Sequence, residues 1–434
     1  MARTALARLV AGLLLAVTTA CGAPPTPDPD PPESGSMLWT RQFAEPERDF
    51  AFSMTTGPGN VIAVVGETLG ALGGPSNGGG DVFLLVLDGE GRLVWARQLG
   101  TPQRDTGSAV AFGPDGAVAI GGTVGGPLYA GAHQGDGDAF VRVYEADGSV
   151  RWTRQFGSIG LDGTSAVAFT SGGDVVAAGF VAGPLDGGAH QGGFDAFVRR
   201  LASVDGDVVW GTTFGTDGDD IVNDLAIDPL DGRVWVVGGT EGDLVSPGSH
   251  LGDRDAFVRA FTDAGVAVPG SATQFGSDAF DTAAGVALAP DGSLAVVGYT
   301  RGALPGMSNA GGFDTFVRVY EDTLMERWTR QAGSLADDFA RNVAVGSDGT
   351  IALAGQSQGN FGGSTSGASD AFVRTYAPNG DTRWSRLFGT AGDDVGYGVA
   401  FLGGDVIVTS GHTNGSLEGD GSGDADVFVR AYAR

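Results

Sequence analysis

The chain has 434 residues, of which 77 are glycine and 42% hydrophobic, and carries a formal charge of -27. That length exceeds what one ordinary core supports and points to several domains or a repeat architecture. All 25 basic residues are arginine and a single cysteine is present, which excludes a P-loop lysine, Schiff-base chemistry, an intrachain disulfide and a cysteine metal cluster, and disfavours nucleic-acid phosphate as a partner.

Residues 1-20 place Arg3 and Arg8 before an apolar run from Leu9 to Val17, the pattern of a secretory signal. The Ala20-Cys21 junction resembles a bacterial lipoprotein lipobox, which implies acylation of Cys21 and attachment to the cell envelope, outer membrane or surface; an ordinary cleaved signal is the alternative. Thr18 stands where such boxes usually carry Leu, Val or Ile. Residues 21-36 are proline-rich and acidic and read as an extended tether, leaving 37-434 as the folded body.

The body repeats one segment. DVFLLVL, DAFVRVY, DAFVRRL, DAFVRAF, DTFVRVY, DAFVRTY and DVFVRAY open on Asp81, Asp138, Asp195, Asp255, Asp314, Asp370 and Asp426, at intervals of 57, 57, 60, 59, 56 and 56 residues. Within a unit, four short segments alternate apolar with polar or small residues, which is strand periodicity. Asp115-Gly116, Asp291-Gly292 and Asp348-Gly349 mark one tight hairpin, and Asp147-Gly148 marks another. Four strands per unit and seven units are expected to close as an all-β, seven-bladed propeller, because a ring removes exposed edges. The last unit lacks the strand that follows DAFVR elsewhere, so residues 38-43 are expected to close the ring inside the last blade.

WTRQFG, an aspartate six residues after the Phe, strand-PDG-strand, a G-x-T element and GGFDAFVR together resemble the bacterial seven-bladed β-propeller repeat, SBBP, over about residues 38-434. The resemblance implies the fold and an exported or surface location, and little about activity.

Antiparallel pairing sorts the connections into a long-loop rim and a tight-turn rim. The long-loop rim is expected to hold the seven repeat aspartates and a second set: Asp49, Asp105, Asp162, Asp220, Asp281, Asp338 and Asp394. Aspartate in such loops accepts backbone N–H groups and fixes the turn; the alternative for the second set is calcium. Selectivity is sought where the repeat varies, beside the G-x-T position occupied by Thr68, Thr123, Val181, Thr240, Thr300, Ser357 and Thr413. The candidates are Glu67, Phe180, Tyr299, Gln356 and His412 on one side, and Glu241, Arg301, Gln358 and Asn414 on the other. The tight-turn rim is expected to offer little side chain. No H-E-x-x-H motif and no P-loop occurs. The expected function is a monomeric module that binds a protein or glycan through its acidic long-loop rim, with membrane contact only through Cys21. A glycan hydrolase or lyase, or a structural spacer, are the alternatives.

Overall fold

The computed structural model describes residues 32-418 and 424-434. Among the described residues, the body, Ser34–Arg434, forms 28 strands, numbered β1 to β28 in chain order, arranged in seven four-stranded antiparallel sheets. Blade 1 is β2 (Asp49–Gly57), β3 (Val61–Thr68), β4 (Asp81–Leu87) and β5 (Leu93–Leu99). Blades 2 to 6 repeat this order and begin with β6 (Asp105–Phe112), β10 (Gly163–Phe169), β14 (Asp220–Ile227), β18 (Asp281–Leu288) and β22 (Asp338–Val345). These first strands, together with β26 (Asp394–Leu402), touch their neighbours in an unbroken circle and form the wall of a central channel.

The last blade is built from both ends of the body. β26, β27 (Val406–Thr413) and β28 (Asp426–Ala433) are completed by β1 (Met37–Phe43), with Arg41 opposite Val429 and Phe43 opposite Val427. The expected closure by residues 38-43 is what the structure contains.

Burial follows the strand sequences. The second and third strands of a blade are covered on both faces, so β4 is buried at every position and reads as a continuous apolar run. Outermost strands such as β5 are half-exposed and keep polar alternation. Between blades the repeat supplies its own joints. The arginine of DAFVR lies over the WTRQF phenylalanine of the preceding blade: Arg199 over Phe156 at 4.5 Å, Arg259 over Phe214 at 4.8 Å, Arg318 over Phe275 at 4.2 Å and Arg430 over Phe388 at 4.4 Å. Where Ala332 replaces that phenylalanine, Arg374 takes Phe361 from a loop at 4.8 Å.

The repeated tryptophan reaches the next blade's tight turn. Trp152 Nε1 donates to Ser203 O at 3.0 Å, Trp210 to Asp263 O at 2.9 Å and Trp328 to Pro378 O at 2.9 Å. The turn glycine lies under the indole: Gly206 has φ +77 and a Cβ there would stand 2.7 Å from Trp152. Only glycine meets both requirements. Each blade therefore clamps its successor, which is how units that cannot bury their own faces gain stability in a ring.

Candidate functional site: the long-loop mouth of the central channel

Both sets of aspartates lie at the long-loop end of the strands, and all are 0–2% exposed. Twelve of the fourteen cap their own loops. Asp105, Asp162, Asp220, Asp281, Asp338 and Asp394 accept the backbone N–H four residues earlier at 2.5–2.6 Å. In the other set, Asp81, Asp138, Asp195, Asp255, Asp314 and Asp370 accept the equivalent N–H at 2.6–3.1 Å. The glutamine of WTRQFG completes this set, with Gln98 on Asp81 at 2.7 Å, Gln155 on Asp138 at 2.8 Å, Gln274 on Asp255 at 2.8 Å, Gln331 on Asp314 at 3.0 Å and Gln42 on Asp426 at 2.7 Å.

Two carboxylates from adjacent blades approach each other across the FG glycine, where a Cβ on Gly276 would stand 2.6 Å from Asp255 and 2.7 Å from Asp281. Burial, and secondarily the facing carboxylate, push the second set upward; Asp49 reaches about 6, opposed by a bond from Thr68. Among the described residues, no group of three or more His, Cys, Asp or Glu is placed to hold a metal ion. None of these aspartates presents its carboxylate to the rim surface.

Register explains the uniform G-x-T position. Thr68, Thr240, Thr300, Ser357 and Thr413 stand opposite the second-set aspartates, and the hydroxyls of Thr240, Thr300, Ser357 and Thr413 donate to the glycine carbonyl two residues on. In blade 2 the residue opposite Asp105 is Val124, so Thr123 belongs one place earlier, with Glu67 and Phe180; there its hydroxyl donates to Asp162 O at 3.1 Å.

The variable candidates divide. Glu67 is buried and held by Arg104 at 2.6 Å, Glu241 pairs with Arg254 at 2.7 Å, and Phe180 packs edge-on against Phe194. Arg301 lies over Phe313 at 5.8 Å, while Gln358 and Asn414 are exposed where the chain leaves the third strand. Tyr299, Gln356 and His412 turn toward the channel mouth, and Tyr299 lines its cavity.

The tight-turn rim does not match the expectation of little side chain. Cavities of about 280, 570 and 340 Å³ open there, walled by Phe112, Phe169, Leu288, Pro290 and Leu230, which is 92% exposed. The six-residue loop from Asp228 to Arg233, one of the longest on this rim, raises Leu230 clear of the blade.

One ring of residues escaped the sequence reading. Each innermost strand carries a β-bulge three residues after its aspartate, and the bulged residues are Phe52, Ser108, Ser165, Asn223, Ala284, Arg341 and Tyr397. All seven line a channel cavity of about 200 Å³. A bulge re-aims one side chain out of the alternating pattern, so a position hidden in an apolar strand faces the axis instead. The available signal was chemical: in an otherwise regular repeat, this position changes class in almost every unit.

The ring is lopsided. On blades 2 to 5 its residues are small or polar. Asn223 Nδ2 donates to Ala283 O at 2.8 Å, and the neighbouring Asp224 accepts Val286 N at 2.9 Å and Leu225 N at 2.8 Å. Burial pushes Asp224 up to about 7. On blades 5, 6, 7 and 1 an aromatic arc surrounds a cation. Arg341 lies 5.1 Å from the Phe339 ring centroid, 5.5 Å from Tyr397 and 5.6 Å from Tyr299. Tyr397 meets Phe52 edge-on at 5.4 Å, and His412 meets Phe50 edge-on at 4.9 Å. Burial first, then the Arg341 charge, hold His412 down at about 4, so it is neutral at pH 7.

No family model matches the chain. It is 28% identical over 356 residues to the regulatory protein FlaEY of Caulobacter vibrioides, an alignment covering 72% of this chain and 37% of that protein. The chain thus spans well under half the length of this relative. Among solved structures, the Neurospora crassa Pan2 WD40 domain resembles it with a TM-score of 0.52 at 11% identity, covering 92% of this chain and 96% of that one. This likeness is one of fold.

Proposed function

We propose that this protein is a binding module that recognises a protein or glycan at the long-loop mouth of its channel, and that it is exported and lipid-anchored at Cys21. The observation that carries the reading is the bulged ring: seven equivalent positions aimed at one cavity, each filled independently of the repeat. A scaffold needs uniform residues there, whereas recognition needs different ones. The aromatic arc around Arg341 adds the flat faces and fixed charge typical of a binding surface. The repeat's likeness to SBBP sequences and the apolar leader ending at Cys21 support export.

The binding reading is favoured over a glycan-cleaving one by the state of Asp224. This carboxyl lines the cavity, but both its oxygens already accept backbone N–H groups, a poor arrangement for moving a proton to a substrate.

The test is capture of glycans and secreted proteins on an array by the intact chain, beside a Ser165→Trp variant that fills the channel from the wall opposite Arg341. Capture by the parent and not by the variant supports the assignment. Equal capture by both moves the site elsewhere.

A further inference from the structure

Resting on that reading, we propose that the channel mouth takes an acidic sugar ring, with the sugar carboxylate on Arg341. Arg341 is the unusual cation of a chain whose formal charge is -27. Among the described residues it enters no ion pair, although most arginines here find a carboxylate or a carbonyl. Its Nε is buried without a hydrogen-bond partner, and Nη2 has only a 3.5 Å contact with Gln356.

A half-buried guanidinium whose Nε is shut off from water without a partner is costly, and the faces of Tyr299, Phe339 and Tyr397 offset only part of that cost. Unused donors in a fixed planar fork match a carboxylate, which accepts two parallel N–H bonds. His412 adds a neutral polar group that also lacks a hydrogen-bond partner. It is 8% exposed, its Nδ1 has no partner, and its ring stands 5.9 Å from Tyr397.

The rest of the lining fits a sugar ring. Tyr397 and Phe52 give apolar surface beside the cation, suited to the C–H face of a pyranose. Across the cavity Ser108, Ser165 and Asn223 offer hydroxyl and amide groups for ring hydroxyls. The cavity's own carboxyl, Asp224, sits two blades from Arg341 and is held by backbone amides, so it leaves the guanidinium without a partner. A volume of about 200 Å³ lies below the ~300–1,000 Å³ of a drug-sized site. It admits one ring, such as the end of a uronate-bearing chain.

The experiment is calorimetric titration of the folded protein with galacturonate, glucuronate, galactose, glucose and galactose 6-sulfate, repeated on Arg341→Met and Ser165→Trp. The expected result is that the two uronates bind at least about tenfold tighter than the neutral sugars. Arg341→Met should remove that difference while the protein still folds and melts cooperatively, and Ser165→Trp should abolish binding of either class. Equal affinity for acid and neutral sugars, undiminished uronate binding by Arg341→Met, or no uronate binding at all would overturn the proposal. Sulfate binding as tight as uronate would overturn the carboxylate assignment. Array capture of neutral glycans or proteins that is lost in Ser165→Trp would leave the binding-module reading standing and remove this inference alone.

Discussion

Arg341 lies 5.5 Å from the ring centroid of Tyr397 on the neighbouring blade, and both side chains leave the bulges of their strands toward the same cavity. The contact links the seam between blades 6 and 7 to the proposed site. Tyr397→Ala removes one of the aromatic faces around the guanidinium and is expected to cost about 1–2 kcal/mol of stability. It should also weaken ligand capture in the array. Chemical denaturation and array binding, measured on the same preparation, check both outcomes.

Ring closure gives a second prediction. Arg430 Nε donates to Thr40 Oγ1 at 2.7 Å although the two lie 390 residues apart, and Arg430 is 9% exposed. Thr40→Val leaves the guanidinium donor without its acceptor, with an expected loss of about 1–3 kcal/mol. Deleting residues 37-43 exposes the whole edge of β28 and should lower the melting temperature much further. A deletion that melts like the parent would show that the last blade holds without β1.

The blade count, the four strands per blade and the closing strand were legible because turn chemistry and period recur with every unit. Asp147-Gly148 announces a hairpin wherever it stands. What the repeat hid was geometry without a sequence signature. Arg341 and Tyr397 sit where plain alternation places a buried side chain, and only the bulge turns them to the axis. The rim aspartates read in the sequence as turn-fixing residues, yet their burial was not visible, because it depends on the glutamine of the outermost strand and on the FG glycine folding over them. Thr123 shows where the G-x-T element misleads: one place of register separates it from Val124, which stands opposite Asp105.

Stability should fall as pH rises from about 4 to 8. The folded-state values of Asp49, about 6, and Asp224, about 7, lie above the ordinary carboxyl value, and burial raises Asp105, Asp162, Asp220, Asp281, Asp338 and Asp394 in the same direction. An acid raised by folding binds its proton more tightly in the native state, so deprotonation destabilises the fold through the window between its unfolded and folded values. His412, lowered to about 4, works oppositely but is one group against several. Below that window the surface acids lowered by their partners, Asp291 and Asp348 at about 2, are protonated at the expense of stability. Calorimetric scans should therefore show the highest melting temperature near pH 4–5. Asp49→Asn, a permanent mimic of the protonated form, should stabilise the protein at pH 8 by up to about 3 kcal/mol and do little at pH 4. A melting temperature that climbs steadily to pH 8 would contradict this.

The proposed anchor predicts that Cys21→Ser moves the protein from the membrane pellet to the soluble exported fraction while leaving its melting transition unchanged. Retention in the pellet would assign attachment to something other than acylation.

Hydrogen–deuterium exchange with and without a captured ligand tests the central claim most directly. The account predicts slowed exchange at the bulges around Phe52, Arg341 and Tyr397, and at Tyr299 and His412, with no change at the Asp-Gly turns. Protection confined to the tight-turn rim around Leu230 would contradict it.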